Sequence, residues 1–337
     1  MNRASRIYVA GGDTLIGAAL IERLRADGLR NLVGMPPDEP DLTAAGQVED
    51  FFGEARPEYV FLAAGKSGGI RLNQTCPADL MLHNLLATAH VVDCAHRHGV
   101  TKLLYLASSC SYPKLTPQPM AVESLLTGPP EPTNAAYATA KLAGWQLCDA
   151  YRRQHGANFV TAIPANAFGP HDDFSPDGGH VIPALIRKAH EAKLRGEPSL
   201  TVWGTGRPRR EFIFARDLAD ACVFVMRHYD GPEPINLGGG ADLSIAEAAH
   251  LVAAVVGYRG RLRFDAAKPD GMPLKVLDAG PLWALGWRPS VDFRTGLAET
   301  YEWFLQHAVG QAPAAEAPTA GGACPAEEDT ADARTAV

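Results

Sequence analysis

The stretch RIYVAGGDTLIGAALIERL at residues 6–24 decides the fold, because it joins an apolar strand to an amphipathic helix through a glycine-rich turn. Gly11, Gly12 and Gly17 stand where a dinucleotide-binding turn uses glycine, and Thr14 takes the middle position of the G-x-x-G-x-x-G pattern. A pyrophosphate at such a helix start would meet free backbone N–H groups and the positive end of the helix dipole. Taken alone, the stretch fits either this site or a plain strand–helix turn that uses glycine for close packing.

Around this turn, short apolar runs alternate with amphipathic stretches, which is the pattern of βαβ units. The predicted strands are Arg6–Ala10, Asn31–Gly34, Tyr59–Leu62, Lys102–Ala107 and Phe159–Ile163. The predicted helices are Leu15–Arg25, Leu80–His98 and Tyr137–His155. We therefore predict an α/β fold, a Rossmann-type doubly wound parallel sheet with a smaller C-terminal substrate lobe.

The texture of the chain changes after Pro164, where Pro- and Gly-rich loops replace the regular alternation. We expect residues 1–164 to form the dinucleotide-binding domain and residues 165–307 mainly to form the substrate lobe. Residues 209–236 are expected to return to the first domain. Residues 308–337 are rich in Ala, Pro, Gly and acidic residues, which predicts a disordered tail.

Composition narrows the class of function. The 337-residue chain is 46% hydrophobic and 20% charged with a net charge of -7, which fits a soluble enzyme and gives no basic surface for nucleic acid or an anionic membrane. No apolar run reaches the roughly 20 residues of a membrane span, so we expect a cytoplasmic protein. Its six cysteines form no C-x-x-C pair, which predicts reduced thiols and no metal site.

A Ser, Tyr and Lys set indicates the chemistry. Ser108 follows a predicted strand, while Tyr137 and Lys141 are four residues apart and share a helix face. A phenol can protonate a carbonyl oxygen, and a neighbouring ammonium helps it to lose that proton. A lone Y-x-x-x-K is common on solvated helices, but after a glycine turn and a Ser-ended strand it predicts hydride transfer. Asn84 could line the same site or be plain polar surface.

Longer motifs make the prediction specific. The segments SSCSYPK, EPTNAAYATAKLAG, PANAFGPHDDF, HVIPALIRKAHEA, VWGTGRPRREF and FDAAKPDGMPLKVLD resemble, in order, those of the GDP-L-fucose synthase family of extended short-chain dehydrogenase/reductases. The likeness runs from about Arg6 to His307. It implies a homodimer that converts GDP-4-keto-6-deoxy-D-mannose to GDP-L-fucose, inverting two carbons and reducing the ketone with NADPH.

The resemblance carries roles over residue by residue. Ser108, Tyr137 and Lys141 take the reductase positions, Cys110 that of the epimerisation base and His180 that of the proton donor. An ordinary thiol has a pKa of about 8.5, so Cys110 would need a nearby cation to act at neutral pH. The implied cofactor-binding residues are Gly11, Thr14, Leu15, Ile16, Gly17, Ala63, Ala64, Tyr137, Lys141, Pro164, Asn166 and His180. The implied substrate-binding residues are Lys66, Ser109, Lys188, Trp203, Arg210 and Lys275.

Two departures leave the exact reaction open. Asp13 and the pair Gly34 and Met35 occupy places where the family carries arginines near the adenosine ribose, so the coenzyme could be NADPH or NADH. Leu274 also stands where the family tends to carry an arginine, which admits a different nucleotide or a related sugar of the 6-deoxy or heptose type. Three alternatives stay open: a keto-sugar 4-reductase without epimerisation, a nucleotide-sugar epimerase that retains NAD, and a non-catalytic nucleotide-sugar or dinucleotide sensor.

Overall fold

Twelve strands are present in the computed structural model, which describes residues 1–175, 179–307 and 309. The strands are β1 (Ile7–Ala10), β2 (Leu32–Val33), β3 (Tyr59–Leu62), β4 (Lys102–Leu106), β5 (Phe159–Pro164), β6 (Asn166–Phe168), β7 (Ser199–Trp203), β8 (Arg209–Phe214), β9 (Ile235–Leu237), β10 (Asp242–Ser244), β11 (Arg261–Asp265) and β12 (Leu274–Lys275). The tail prediction for residues 308–337 lies outside the described residues except at Val309.

Ten α-helices connect or cover these strands in the described part of the chain. They are α1 (Leu15–Ala26), α2 (Ala45–Ala55), α3 (Ile70–Thr75), α4 (Pro77–Arg97), α5 (Ala135–His155), α6 (Val181–Arg195), α7 (Ala215–His228), α8 (Ile245–Val256), α9 (Gly280–Ala284) and α10 (Phe293–His307). Among the described residues, no helix combines the length and apolar character that crossing a membrane requires.

The main sheet is entirely parallel and has the strand order β2-β1-β3-β4-β5-β9. Its inner strands β1, β4 and β5 are fully buried, and β3 is buried except at its first residue, Tyr59, as expected of a sheet covered by helices on both faces. The chain moves outward from β1 to β2 and then crosses to β3 on the other side of β1. This reversal opens a crevice at the carboxyl ends of β1 and β3, where doubly wound folds bind ligands. The predicted Rossmann-type fold is confirmed.

The second half of the chain builds a separate set of strands. β8 pairs with β6, β10 and β12, and β7 pairs with β11. Helix α7 packs on α1, and β9 completes the edge of the main sheet. The segment that rejoins the first half therefore begins at α7, whereas β8 belongs to the second sheet.

Two hydrophobic clusters match this division of the strands. The first lies around the main sheet and includes apolar residues of α7 and β9. The second is formed mainly by α6, α8 and α10 against β7 and β8, with Phe168, Phe212 and Phe214 in edge-on or tilted aromatic contacts. The site lies where the carboxyl ends of the main strands face this second cluster.

Candidate active site

The glycine turn is tightly packed at the crevice. Gly11 has a φ of +82°, and a Cβ there would lie 2.7 Å from the Ala64 Cα at the end of β3. A Cβ on Gly17 would lie 1.8 Å from the Gly11 carbonyl oxygen. Thr14 caps helix α1, because its hydroxyl accepts a hydrogen bond from the Gly17 N–H at 3.1 Å and donates one to the Gly11 carbonyl at 2.7 Å. Threonine at the middle position of the motif is thus part of the turn.

A large cleft, with a volume of about 1410 Å³, begins at this turn and extends to the second sheet. Most of the residues predicted for the site line it. They are Thr14, Leu15, Ile16, Ala63, Ala64, Lys66, Ser108, Ser109, Cys110, Tyr137, Lys141, Pro164, Asn166, His180, Lys188, Trp203, Arg210 and Lys275. Gly11 lines a neighbouring cavity, and Gly17 is buried behind the turn.

Ser108, Tyr137 and Lys141 come together at the floor of the cleft. Burial and then the charge of Cys110 raise the pKa of the Tyr137 phenol, and a hydrogen bond with the Ser108 side chain opposes this rise. The Lys141 Nζ lies 6.0 Å from the centre of the Tyr137 ring and donates to the Leu106 carbonyl at 3.2 Å. Burial lowers the pKa of Lys141 to about 8. The phenol is therefore protonated at neutral pH and available as a proton donor.

Asn84 lies beside this group on α4. Its side-chain amide donates to the carbonyls of Lys66 at 2.8 Å and Leu80 at 2.7 Å. A Cβ on Gly65 would lie 2.3 Å from the Asn84 Oδ1 and 3.2 Å from the Lys141 Nζ, so only glycine leaves room between these two side chains. Asn84 is buried, and it fixes the loop after β3 rather than facing solvent.

Cys110 stands two residues beyond Ser108 and has the neighbouring cation that a reactive thiol requires. The Lys275 Nζ donates to its sulfur at 3.2 Å, and the Asn134 side-chain amide donates at 3.1 Å. Burial opposes ionisation, but the Lys275 charge and hydrogen bonds from Ser108 and Lys275 outweigh it, so the pKa of Cys110 is lowered. These contacts favour a thiolate at this position.

His180 faces the same cleft from the residue before α6. Its Nε2 lies 3.4 Å from the Ser67 hydroxyl. Desolvation by the surrounding protein and, to a smaller extent, the Lys275 charge lower the pKa of His180. The side chain is nevertheless accessible to solvent from the cleft. The Lys275 charge therefore acts on both Cys110 and His180.

Lys188 and Arg210 line the part of the cleft that the second lobe contributes. The Lys188 Nζ lies 5.2 Å from the centre of the Trp203 ring, a cation–π contact, and Trp203 is 44% exposed. Arg210 donates to the carbonyls of Arg209, Met272 and Asp270, so part of its guanidinium already holds the loop before β12. Asn166 likewise donates a hydrogen bond from its side-chain amide to the Glu211 carbonyl at 2.8 Å.

A second cavity, of about 640 Å³, opens on the other side of the glycine turn. Glu39 is its central polar residue. One carboxylate oxygen accepts from the Gly11 N–H at 2.6 Å and the Tyr8 hydroxyl at 2.9 Å, and the other accepts from the Gly12 N–H at 3.3 Å. Burial raises the pKa of Glu39, and these hydrogen bonds oppose the rise.

Comparison with known proteins decides the family. The family model "NAD dependent epimerase/dehydratase family" matches residues 7–238. GDP-L-fucose synthase 1 of Arabidopsis thaliana is 48% identical, over 91% of this chain and 95% of its own length. The chain belongs to the GDP-L-fucose synthase family, within the NAD-dependent epimerases and dehydratases.

Solved structures of related enzymes superpose closely. A GDP-6-OMe-4-keto-L-xylo-heptose reductase from C. jejuni matches with a TM-score of 0.86 at 32% identity, covering 91% of this chain and 99% of its own. A GDP-L-fucose synthetase from Naegleria fowleri bound to NADP gives a TM-score of 0.84 at 29% identity, covering 91% and 96% of the two chains. The NADP-bound relative and the description of the family support a nicotinamide cofactor in this fold.

Several polar contacts of this family member were not predicted from its sequence. Asn134 lies in the motif EPTNAAYATAK, three residues before Tyr137, and that position could have suggested it. Glu39 follows a proline-rich turn after β2 and carries no such signal. Lys275 was predicted to contact substrate, and the structure places its ammonium on the Cys110 sulfur.

Proposed function

We propose that this enzyme is a nucleotide-sugar 3,5-epimerase/4-reductase that uses NADPH or NADH to convert GDP-4-keto-6-deoxy-mannose to GDP-L-fucose or a close analogue. The observation that carries the proposal is the Cys110–Lys275 pair in the same cleft as Ser108, Tyr137 and Lys141. The Cys110–Lys275 pair suits removal of a proton from carbon, whereas Ser108, Tyr137 and Lys141 suit protonation of a carbonyl oxygen. A reductase that does not epimerise its substrate needs only the second set.

In the epimerisation half, Cys110 acts on the carbons beside the ketone. Protons there are acidic because the resulting carbanion is an enolate, and a thiolate held by Lys275 and Asn134 can remove one. The protonated form of His180, a minority at neutral pH because the pKa is lowered, returns a proton to the opposite face and inverts the carbon. Cys110 then loses the abstracted proton to solvent and His180 takes one up, and the same step at the second carbon gives the double inversion.

In the reduction half, the carbonyl oxygen lies between the Ser108 and Tyr137 hydroxyls. When bound, the reduced nicotinamide supplies the hydride. Tyr137 donates its proton to the oxygen as negative charge develops there, and Ser108 hydrogen-bonds the same oxygen. The Lys141 ammonium favours the phenolate that remains.

The chain offers a site that fits a dinucleotide. A Cβ at Gly11 or Gly17 would clash with the backbone of the turn or of the loop after β3, and the start of α1 provides N–H groups for a pyrophosphate. Lys66 lies between the main cleft and the second cavity. We propose that residues 1–164 with α7 and β9 bind the coenzyme and that the second-sheet lobe binds the nucleotide sugar through Lys188, Trp203 and Arg210.

Product stereochemistry tests the function. The enzyme is incubated with GDP-4-keto-6-deoxy-mannose and each reduced coenzyme, and the product is identified by NMR. We expect a product with inverted configuration at two carbons, formed as the reduced coenzyme is consumed one for one. A reduced sugar with both carbons uninverted would contradict epimerisation and leave a 4-reductase.

A GDP-linked heptose is the second candidate substrate. It is favoured by the likeness to the C. jejuni heptose reductase and by Leu274, which stands next to Lys275 where the family tends to carry an arginine. Incubation with the corresponding 4-keto heptose would give faster turnover than the 6-deoxy sugar if this candidate is correct.

We also propose that the enzyme is a homodimer, as the family resemblance implies. Light scattering of the full chain should give twice its mass of 35.9 kDa. A monomeric mass at working concentration would contradict this.

A further inference from the structure

The main cleft and the second cavity meet at a narrow neck beside the glycine turn. The residues that line both are Asp13, Thr14, Ala64, Gly65, Lys66 and His83. A dinucleotide is long enough to need both cavities, and the neck is where its pyrophosphate fits: it adjoins the start of α1 and holds Lys66 and His83. The adenosine half would then lie in the second cavity.

We propose that the second cavity selects a coenzyme whose adenosine ribose carries free hydroxyls, so that this enzyme uses NADH in preference to NADPH. The inference rests on the proposed function, because it concerns the coenzyme of that site. Two observations support it. The polar groups around the second cavity include the carboxylates of Asp13, Glu39 and Asp41, and the positions at which the family carries arginines hold no cation in this chain.

Glu39 has the geometry of a ribose acceptor. Its three hydrogen bonds, from Gly11, Gly12 and Tyr8, hold the carboxylate at the turn. An ionised carboxylate offers about four acceptor positions, so at least one stays available for a hydroxyl group. A ribose hydroxyl can donate to it, whereas a 2′-phosphate brings only acceptor oxygens and a charge of about −1.5 to −2.

Two further carboxylates make the cavity unfavourable for that phosphate. Asp13 is exposed at the neck. Asp41 lines the cavity, and hydrogen bonds from Thr43, with smaller effects of the His83 and Lys66 charges, lower its pKa. Asp41 is therefore ionised at neutral pH, and a 2′-phosphate would meet like charges from several sides.

Among the described residues, no lysine or arginine lines the second cavity beyond the neck. Of the described residues that line the second cavity, only Lys66 is a lysine or arginine, and it lies at the neck. Gly34, just after β2, has a φ of +62°, and a Cβ there would lie 2.6 Å from the Phe51 ring. A long basic side chain therefore could not be accommodated at Gly34 without rearranging this ring.

The test measures coenzyme binding without sugar. NADH and NADPH are titrated into the full chain at an ionic strength of about 0.1 M, and binding is followed by nicotinamide fluorescence. We expect NADH to bind at least about tenfold more tightly than NADPH. Asp13→Arg should reduce this ratio at least about tenfold by strengthening NADPH binding. Glu54→Arg is the matched control, since it makes the same charge change at an exposed position on α2 and should leave the ratio unaltered.

A third variant tests the acceptor. Glu39→Gln keeps the side-chain shape and should weaken NADH binding more than NADPH binding. Equal or tighter binding of NADPH by the unaltered enzyme, or an unchanged ratio in Asp13→Arg, would overturn the inference while leaving the proposed function intact. If NADH binds selectively but no keto sugar is reduced, the inference stands and the proposed function fails. If neither coenzyme binds, both fail.

Discussion

At the scale of single residues, the pairing of Cys110 with Lys275 explains how a thiol can act as a base at neutral pH. The two residues are 165 positions apart, and β12 brings them together by pairing with β8. Lys275 is 7% exposed, so its charge is poorly screened by solvent. A buried ammonium beside a sulfur lowers the free energy of the thiolate relative to the thiol.

Lys275→Met should raise the pKa of Cys110 toward or above the ordinary thiol value of about 8.5, because the variant removes the charge and keeps the side-chain length. The folded protein is alkylated across a pH series, and the alkylated fraction of the Cys110 peptide is then measured by mass spectrometry. The pH at which the alkylation rate is half-maximal should move to a higher value in the variant. Lys188→Met removes a different cleft cation, one held on Trp203, and serves as the control. Coincident profiles for Lys275→Met and the unaltered enzyme would refute the pairing.

Tyr137→Phe should separate the two halves of the reaction. The variant lacks the proton donor for the carbonyl oxygen, so reduction should slow by about 10²–10⁴-fold. Cys110 and His180 remain, and exchange of carbon-bound protons with solvent should continue. The measurement is deuterium uptake by the keto sugar in heavy water, with coenzyme oxidation recorded in parallel. Loss of exchange together with reduction would show that Tyr137 also serves the epimerisation.

At the scale of elements, the turn between β1 and α1 sets the shape of the proposed coenzyme site. Gly17→Ala should destabilise the protein by about 1–3 kcal/mol through overpacking, because its Cβ would lie 1.8 Å from the Gly11 carbonyl oxygen. It should also weaken coenzyme binding. Denaturant unfolding and coenzyme titration measure the two effects. Gly46→Ala, in helix α2 with no atom within 4 Å of its Cβ, is the control. Normal stability of Gly17→Ala would contradict the packing described here.

The main-sheet strands were predictable because each is a short apolar run between turn signals. β3 agrees at both ends, and β1, β4 and β5 differ by one residue at one end. β2 is shorter than predicted, Leu32–Val33, because Gly34 leaves the extended region with a positive φ. α4 begins at Pro77 rather than Leu80, since proline is favoured in the first helical turn.

The second sheet was not predictable in the same way. β6, β10 and β12 have two or three residues each, and their pairing with β8 depends on contacts between distant parts of the chain. The motifs identified the residues of the cleft, but they could not show that Lys275 contacts Cys110 or that Glu39 holds the glycine turn. Both contacts join segments that are distant in the sequence, and the local sequence around each residue does not specify which distant segment it meets.

At the scale of the whole molecule, the main sheet and the second lobe each contribute part of one cleft. Of the residues proposed for reduction, Ser108 follows β4, and Tyr137 and Lys141 lie on α5. His180 precedes α6, and β12 carries Lys275. Epimerisation and reduction can then act on one bound sugar, because both sets of groups face the same space. Neither half of the fold holds all of these groups.

The most direct test of this account is the mass of the product formed from GDP-4-keto-6-deoxy-mannose in heavy water, with NADH and NADPH supplied in separate reactions. The account predicts a reduced sugar with two solvent deuterons on carbon, one for each inverted centre. A reduced sugar without carbon-bound deuterium would contradict the roles of Cys110 and His180 and leave the enzyme a simple keto-sugar reductase.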